Sequence, residues 1–179
     1  MNNEVLKLML RLFLPGEYVK SVFDISPKAL KESGIKGIIT DLDNTLVEWD
    51  RPNATPQLLE WFKEVKEQGM KITIVSNNNE RRVKAFSDPH QIPFIYRAKK
   101  PMGNAFLKAV KNMNLKKEEV VVIGDQLLTD VLGGNRSGFH TILVVPVAST
   151  DGVFTKINRK IERKIMENLK RKGMIQWEE

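Results

Sequence analysis

Five short runs of β-branched and aromatic residues, each separated from the next by a stretch with helical spacing, leave this chain few architectures. The runs are KGIIT (36–40), KITIVS (71–76), PFIYRA (93–98), EVVVIGD (119–125) and TILVVPV (141–147). Each is nearly continuous in apolar residues, the pattern of a strand covered on both faces. Between them fall TPQLLEWFKEVKEQG, NERRVKAFSD, GNAFLKAVKNMN and TDVLGGNRSG, which read as helices. This alternation predicts an α/β fold, a parallel five-stranded sheet with a helical layer on each face. In such sheets ligands bind beyond the carboxyl ends of the strands. The 179 residues suit a single domain over 1–179. Its expected parts are an apolar helical extension (1–30), a core (31–147) and a basic amphipathic helix (148–179).

The expected carboxyl ends carry a consistent chemistry. The first run leads into DLDNTL, with Asp41 and Asp43 one residue apart. Like charges held that close repel, and a cation or a shared proton has to offset the repulsion. The second run ends in Ser76-Asn77-Asn78, and the third leads to Lys99-Lys100-Pro101. The fourth ends in Gly124-Asp125, with Asp130 five residues further on. Taken singly these are weak signals, because a strand-end Ser is commonly a helix cap and paired lysines commonly a solvated turn. Together, at successive strand ends, they form an inventory for a divalent cation and a phosphate group. Mg²⁺ takes one or two carboxylates, water and substrate phosphate.

Their order discriminates between two phosphate-handling families. A response-regulator receiver domain places its Lys last, whereas here Lys precedes the final acid cluster. DLDNTL, ITIVSNN, KKP and GDQLLTD instead resemble the four motifs of the haloacid dehalogenase (HAD) superfamily, across residues 36–146. More narrowly, the chain resembles the YqeG-type branch of HAD subclass IIIA. That branch is similar to mitochondrial-type phosphatidylglycerophosphate phosphatases.

The resemblance implies a Rossmann-like three-layer sandwich and a Mg²⁺-dependent phosphatase working through an aspartyl-phosphate. Asp41 would be the nucleophile and Asp43 the general acid and base. Lys100, rather than Lys99, would neutralise the phosphate and the nucleophile. Thr45, Ser76, Asn77 and the loop cation Arg136 would contact substrate. Asp125 would join Asp41 and the Asp43 carbonyl around Mg²⁺, with Asp130 behind them orienting Lys100 or a water on the ion. His90 and His140 lie in no motif.

HAD enzymes often insert a cap domain after the first motif or between the second and third. Only 29 residues (47–75) and 23 residues (77–99) are available at these points, so no cap fits. An open site suits a large substrate or one lying in a membrane. The flanks bear on this expectation. VLKLMLRLFL is too short to span a bilayer, contains Lys7 and Arg11, and has no cleavage site after it. KINRKIERKIMENLKRK (156–172) has eight basic and two acidic residues, with Ile157, Ile161, Ile165 and Leu169 on one face. Such a helix packs on the domain or rests on an anionic membrane surface. A net charge of +7 favours anionic partners, and the absence of cysteine fits a reducing compartment. The reading is a cytoplasmic phosphatase, peripheral at the inner membrane face, with phosphatidylglycerophosphate as substrate. Soluble or protein phosphoesters and a non-catalytic RNA-associated role are the alternatives. The basic tail lacks the interleaved aromatics of a nucleic-acid binder. The competing explanation for the missing cap is an oligomeric neighbour that covers the site.

Overall fold

The computed structural model describes residues 3–148 and 153–175. Its sheet has six strands, all parallel: β1 (Glu17–Val19), β2 (Gly37–Thr40), β3 (Lys71–Val75), β4 (Phe94–Ile95), β5 (Val120–Gly124) and β6 (His140–Val144). They lie side by side in the order β1-β6-β5-β2-β3-β4. The expected five strands are present, and the sixth is β1, inside the segment read as a helical extension. Three residues, EYV, carry too little periodicity to announce a strand. What recruits them is the edge of β6, where Glu17 pairs with Ile142 and Val19 with Val144.

Side chains alternate across the sheet, as strand geometry requires. Ile38, Val121 and Ile123 face one apolar cluster, while Ile39, Val120 and Val122 face the other. The first cluster includes Leu30 of α2 (Pro27–Glu32), Leu58, Trp61 and Val65 of α3 (Pro56–Glu67), and Val83 and Phe86 of α4 (Glu80–Ser87). The second is covered by Ala105, Phe106, Ala109 and Val110 of α5 (Asn104–Met113). The result is a three-layer α/β/α sandwich. The two insertion points hold α3 with β3, and α4 with a 3₁₀ turn (Asp88–His90) and β4, so there is no cap.

The flanking helices pack on each other. α1 (Asn3–Arg11) places Leu10 against Leu169 of α7 (Val153–Arg171), and Ile175 joins them. Among the described side chains of α7, Glu162 and Leu169 are buried and Ile165 and Met166 partly buried, whereas Ile161 is exposed. The every-fourth-residue stripe read from the sequence drifts around a helix of 3.6 residues per turn. Its upper end therefore turns away from the domain. Val5, Leu8 and Met9 of α1 are exposed. Among the described residues no helix is long and apolar enough to cross a membrane.

Candidate active site

The chain runs from β2 out to β3 and β4, then returns to β5 and β6 on the other side. The strand order therefore reverses between β2 and β5, the place where open α/β sheets bind ligands. The register puts Thr40 beside Ile123, and the Asp41 amide extends the ladder by donating to the Ile123 carbonyl (3.0 Å). Asp41 and Asp125 thus leave adjacent strands at one level. The backbone then turns sharply, with Asn44 in the left-handed region at φ 64° and its amide donating to the Val47 carbonyl (2.7 Å). Asn tolerates that conformation better than most residues.

Lys100 lies at the centre of the site. Its side chain is 2% exposed, and Nζ donates to Asp41 Oδ1 (2.7 Å) and Asp130 Oδ1 (2.6 Å). Asn77 fixes the lysine backbone from both sides: Oδ1 accepts from the Lys100 amide (2.7 Å) and Nδ2 donates to its carbonyl (3.2 Å). Lys99 is exposed, so Lys100 is the lysine that faces the acids. Asp130 belongs to a single π-helical turn, Leu127–Val131, that runs into α6 (Leu132–Arg136). Its Oδ2 accepts from the Gln126 amide (3.1 Å). Gly124 makes room for it, because a Cβ there would lie 2.2 Å from Asp130 Cγ. π turns of this kind are frequent at functional sites.

Asp125 is held from two directions. Thr45 Oγ1 donates to Oδ1 (2.9 Å), and Arg159 of α7 donates through one nitrogen to Oδ2 and through the other to the Asp125 carbonyl (2.6 Å). Arg159 also meets Glu162 (3.2 Å), which accepts from the Leu128 amide (3.0 Å). Asp43 faces outward. Arg82 Nε donates to its Oδ1 (2.9 Å) and Asn78 Nδ2 to its Oδ2 (2.8 Å). Ser76 is buried, and its Oγ accepts from the Asn78 amide (3.2 Å).

Burial decides the electrostatics. It pushes the Asp41 carboxyl up to about 8 against the opposing pull of Lys100, with Asp130, Asp125 and Asp43 adding to the rise in that order. It pushes Asp125 up to about 6, opposed chiefly by Arg159. Burial also disfavours the Lys100 ammonium, but Asp130 and Asp41 outweigh it and hold the lysine above its usual value. The Asp41–Asp43 repulsion that dominates the sequence reading is the last of these contributions, because the two carboxylates have turned to different cations.

Asp41, Asp125 and Asp130 each offer a carboxylate oxygen, all within 4.8 Å of one another and all buried. An all-oxygen donor set of this kind fits a hard divalent cation such as Mg²⁺. Two carboxyls that burial raises toward neutrality are groups that exchange a proton for such an ion.

Of the residues singled out in the sequence, Asp41, Thr45, Ser76, Asn77, Lys100, Asp125 and Asp130 converge on this edge, with Asp43 at its rim. Arg136 does not. It is exposed at the end of α6, next to Asn135, which bonds Thr141 at the amino end of β6. Thr45 and Asn77 brace Asp125 and Lys100 through their side chains. Arg82, Arg159 and Glu162 escaped the sequence reading, and Asn78 was named at its strand end without a role. Arg82 had a signal: Asn79 caps α4 directly after β3, which holds the first turn of that helix at the strand-end edge.

The family model described as mitochondrial PGP phosphatase matches residues 2–148. A relative from Bacillus subtilis, described as a probable phosphatase, YqeG, is 71% identical over 96% of this chain and 100% of its own length. Phosphatidylglycerophosphate phosphatase 1 of Arabidopsis thaliana is 30% identical over 90% of this chain, which spans 49% of that protein. The cobalt-bound deoxy-D-mannose-octulosonate 8-phosphate phosphatase of Haemophilus influenzae shares the fold. It has a TM-score of 0.55 at 15% identity, over 76% of this chain and 90% of that one. A Moraxella catarrhalis octulosonate phosphatase, solved with magnesium and phosphate, gives a TM-score of 0.51 at 13% identity, over 80% and 92% of the two chains. The chain belongs to the mitochondrial PGP phosphatase family and is a phosphatase of the haloacid dehalogenase type.

Proposed function

We propose that the chain hydrolyses a phosphate monoester in two displacements at phosphorus, and that the ester is phosphatidylglycerophosphate. In the first displacement an Asp41 oxygen bonds to phosphorus while the bond to the leaving glycerol oxygen breaks. Asp43 gives that oxygen its proton. In the second, water attacks phosphorus and passes a proton to Asp43, and the Asp41 carboxylate departs with its electron pair. Two such steps replace one harder one.

The observation that carries this reading is the Lys100 ammonium, buried and bridging Asp41 and Asp130. It brings a fixed positive charge to the place where phosphate oxygens gather negative charge. Ser76 would donate to one of those oxygens. Asp43 reaches the leaving oxygen by rotating away from Arg82 and Asn78, a movement confined to the rim. Mg²⁺ would be held by Asp41, Asp125 and the Asp43 carbonyl, and bound there it supplies charge that lets an anionic ester approach an anionic nucleophile.

The lipid assignment is supported by the family description, by the substrate in the plant relative's name, and by the absence of a cap. A headgroup standing out of a bilayer is presented to the protein from one side, as an open strand-end edge requires. The basic face of α7 would favour peripheral contact with anionic lipid on the cytoplasmic side. The test is Mg²⁺-dependent phosphate release from phosphatidylglycerophosphate in mixed micelles, beside sugar, nucleotide and peptide phosphates. A kcat/KM for the lipid about tenfold or more above every soluble ester is expected. Efficient turnover of a soluble ester with the lipid untouched overturns the substrate assignment.

A further inference from the structure

Between α7 and the carboxyl ends of β6 and β1 lies a cavity of about 670 Å³, within the size range of small-molecule sites. Its walls are apolar, formed mainly by Leu127, Leu143, Val145, Pro146 and Met166. The charged groups at its inner end are engaged with one another: Asp125 with Arg159, and Arg159 with Glu162. Lys160 and Arg163, both exposed on α7, line its lip. The cavity thus borders the candidate active site at Asp125, whose carboxylate Arg159 holds from the cavity side, and is cationic where it meets solvent.

A soluble sugar or nucleotide would need hydrogen-bonding groups along these walls, whereas the polar side chains are the charged groups at the two ends and Tyr18. The arrangement suits an amphiphile, with its phosphate at the Lys100 ammonium beyond Asp125 and its hydrocarbon end in the apolar space. We propose that this cavity takes a hydrocarbon chain of the anionic lipid ester whose phosphate sits at Asp41 and Lys100. The proposal rests on the lipid reading above and extends it, because it makes α7 one wall of the substrate site. It also accounts for the open edge: the chain moiety does in place of a cap what a cap does for small substrates, anchoring the ester beyond its phosphate.

The test uses n-alkylphosphonates from methyl to decyl, which carry the phosphate-like head on a carbon–phosphorus bond that hydrolysis does not cleave. They are titrated into the full chain with Mg²⁺, below their micelle-forming concentrations, with affinity read by calorimetry and by competition against a chain-free ester. Affinity is expected to rise by up to about fourfold for each methylene that enters the cavity, then level off. Val145→Trp and, independently, Ala148→Phe fill the space, and each is expected to cut the decyl-to-methyl affinity ratio by about tenfold or more. A flat series in the unmodified chain overturns the proposal, as does a steep series that both variants leave intact. Because the phosphonates are not hydrolysed, this result is separate from the substrate test. A steep series sensitive to the variants stands even where phosphatidylglycerophosphate is not turned over, and lipid turnover with a flat series removes the cavity while leaving the lipid assignment.

Discussion

Asp41 and Asp43 are one residue apart, yet each has settled in a different kind of environment. The partner of Asp41 is Lys100, 2% exposed, delivered by the loop after β4 and locked by Asn77. The partner of Asp43 is Arg82, 15% exposed, from the first turn of α4. The floor of the site is therefore a fixed constellation of buried charge, and its rim is a set of contacts shared with water. Buried ion pairs are costly to break because the survivor is left uncompensated, whereas partly solvated ones are exchanged cheaply. Catalysis asks for both: a preorganised field under the phosphorus and an acid that can move.

Removing the floor cation is the largest test of this contrast. Lys100→Met is expected to lower kcat by about two to three orders of magnitude, the cost of losing one preorganised charge-stabilising group. It should also destabilise the fold by about 3–5 kcal/mol. Asp41, which burial already raises to about 8, can recover by taking up a proton, so the loss of Tm should be larger at pH 8 than at pH 5. An equal loss at both values would contradict the account.

Arg159→Met is next. Arg159 orients Asp125 from outside the sheet, and supports of this kind change metal affinity by about 10- to 100-fold. A changed Mg²⁺ dissociation constant, read by titration calorimetry, is expected together with a smaller change in kcat at saturating metal. Unaltered metal affinity would remove Arg159 from the site.

Proton–metal competition gives the third effect. With Asp41 raised to about 8 and Asp125 to about 6, Mg²⁺ must displace protons below these values. Its dissociation constant should fall by up to about tenfold per pH unit as pH rises between about 6 and 8. The sign for stability runs the other way in metal-free protein. The Asp41 contribution is whole below about pH 4 and is lost as pH rises toward 8, since a raised folded value favours the protonated form. The increase in Tm on adding Mg²⁺ should therefore grow from pH 6 to pH 8, which differential scanning fluorimetry reads directly.

Arg82→Ala should have the smallest effect, a change in kcat below about tenfold, because the Arg82–Asp43 pair has to part during turnover. A loss as large as that of Lys100→Met would abolish the distinction between floor and rim.

The same contrast explains what could be read from the sequence. Floor residues sit at strand ends, where apolar runs stop and polar residues begin, so Asp41, Ser76, Lys100 and Asp125 were legible from periodicity and motif order. Arg82 and Arg159 lie on helices among other basic residues. Nothing local marks Arg159 out from the seven other basic residues of KINRKIERKIMENLKRK, since the helix's placement alone selects it. Arg136 is the opposite case, a cation near a motif in sequence that α6 carries toward the amino end of β6. The strand β1 was hidden because pairing with β6, rather than its own three residues, makes it a strand.

The central claim is that Asp41 attacks phosphorus. Protein quenched in acid during Mg²⁺-dependent turnover, digested and examined by mass spectrometry, should carry one phosphoryl group on the peptide containing Asp41. The modification should be labile to hydroxylamine, and Asp41→Asn should lack both it and the activity, with kcat down by about 10⁴-fold or more. Full turnover with no phosphoryl group on Asp41, or with one on another side chain, would contradict the account.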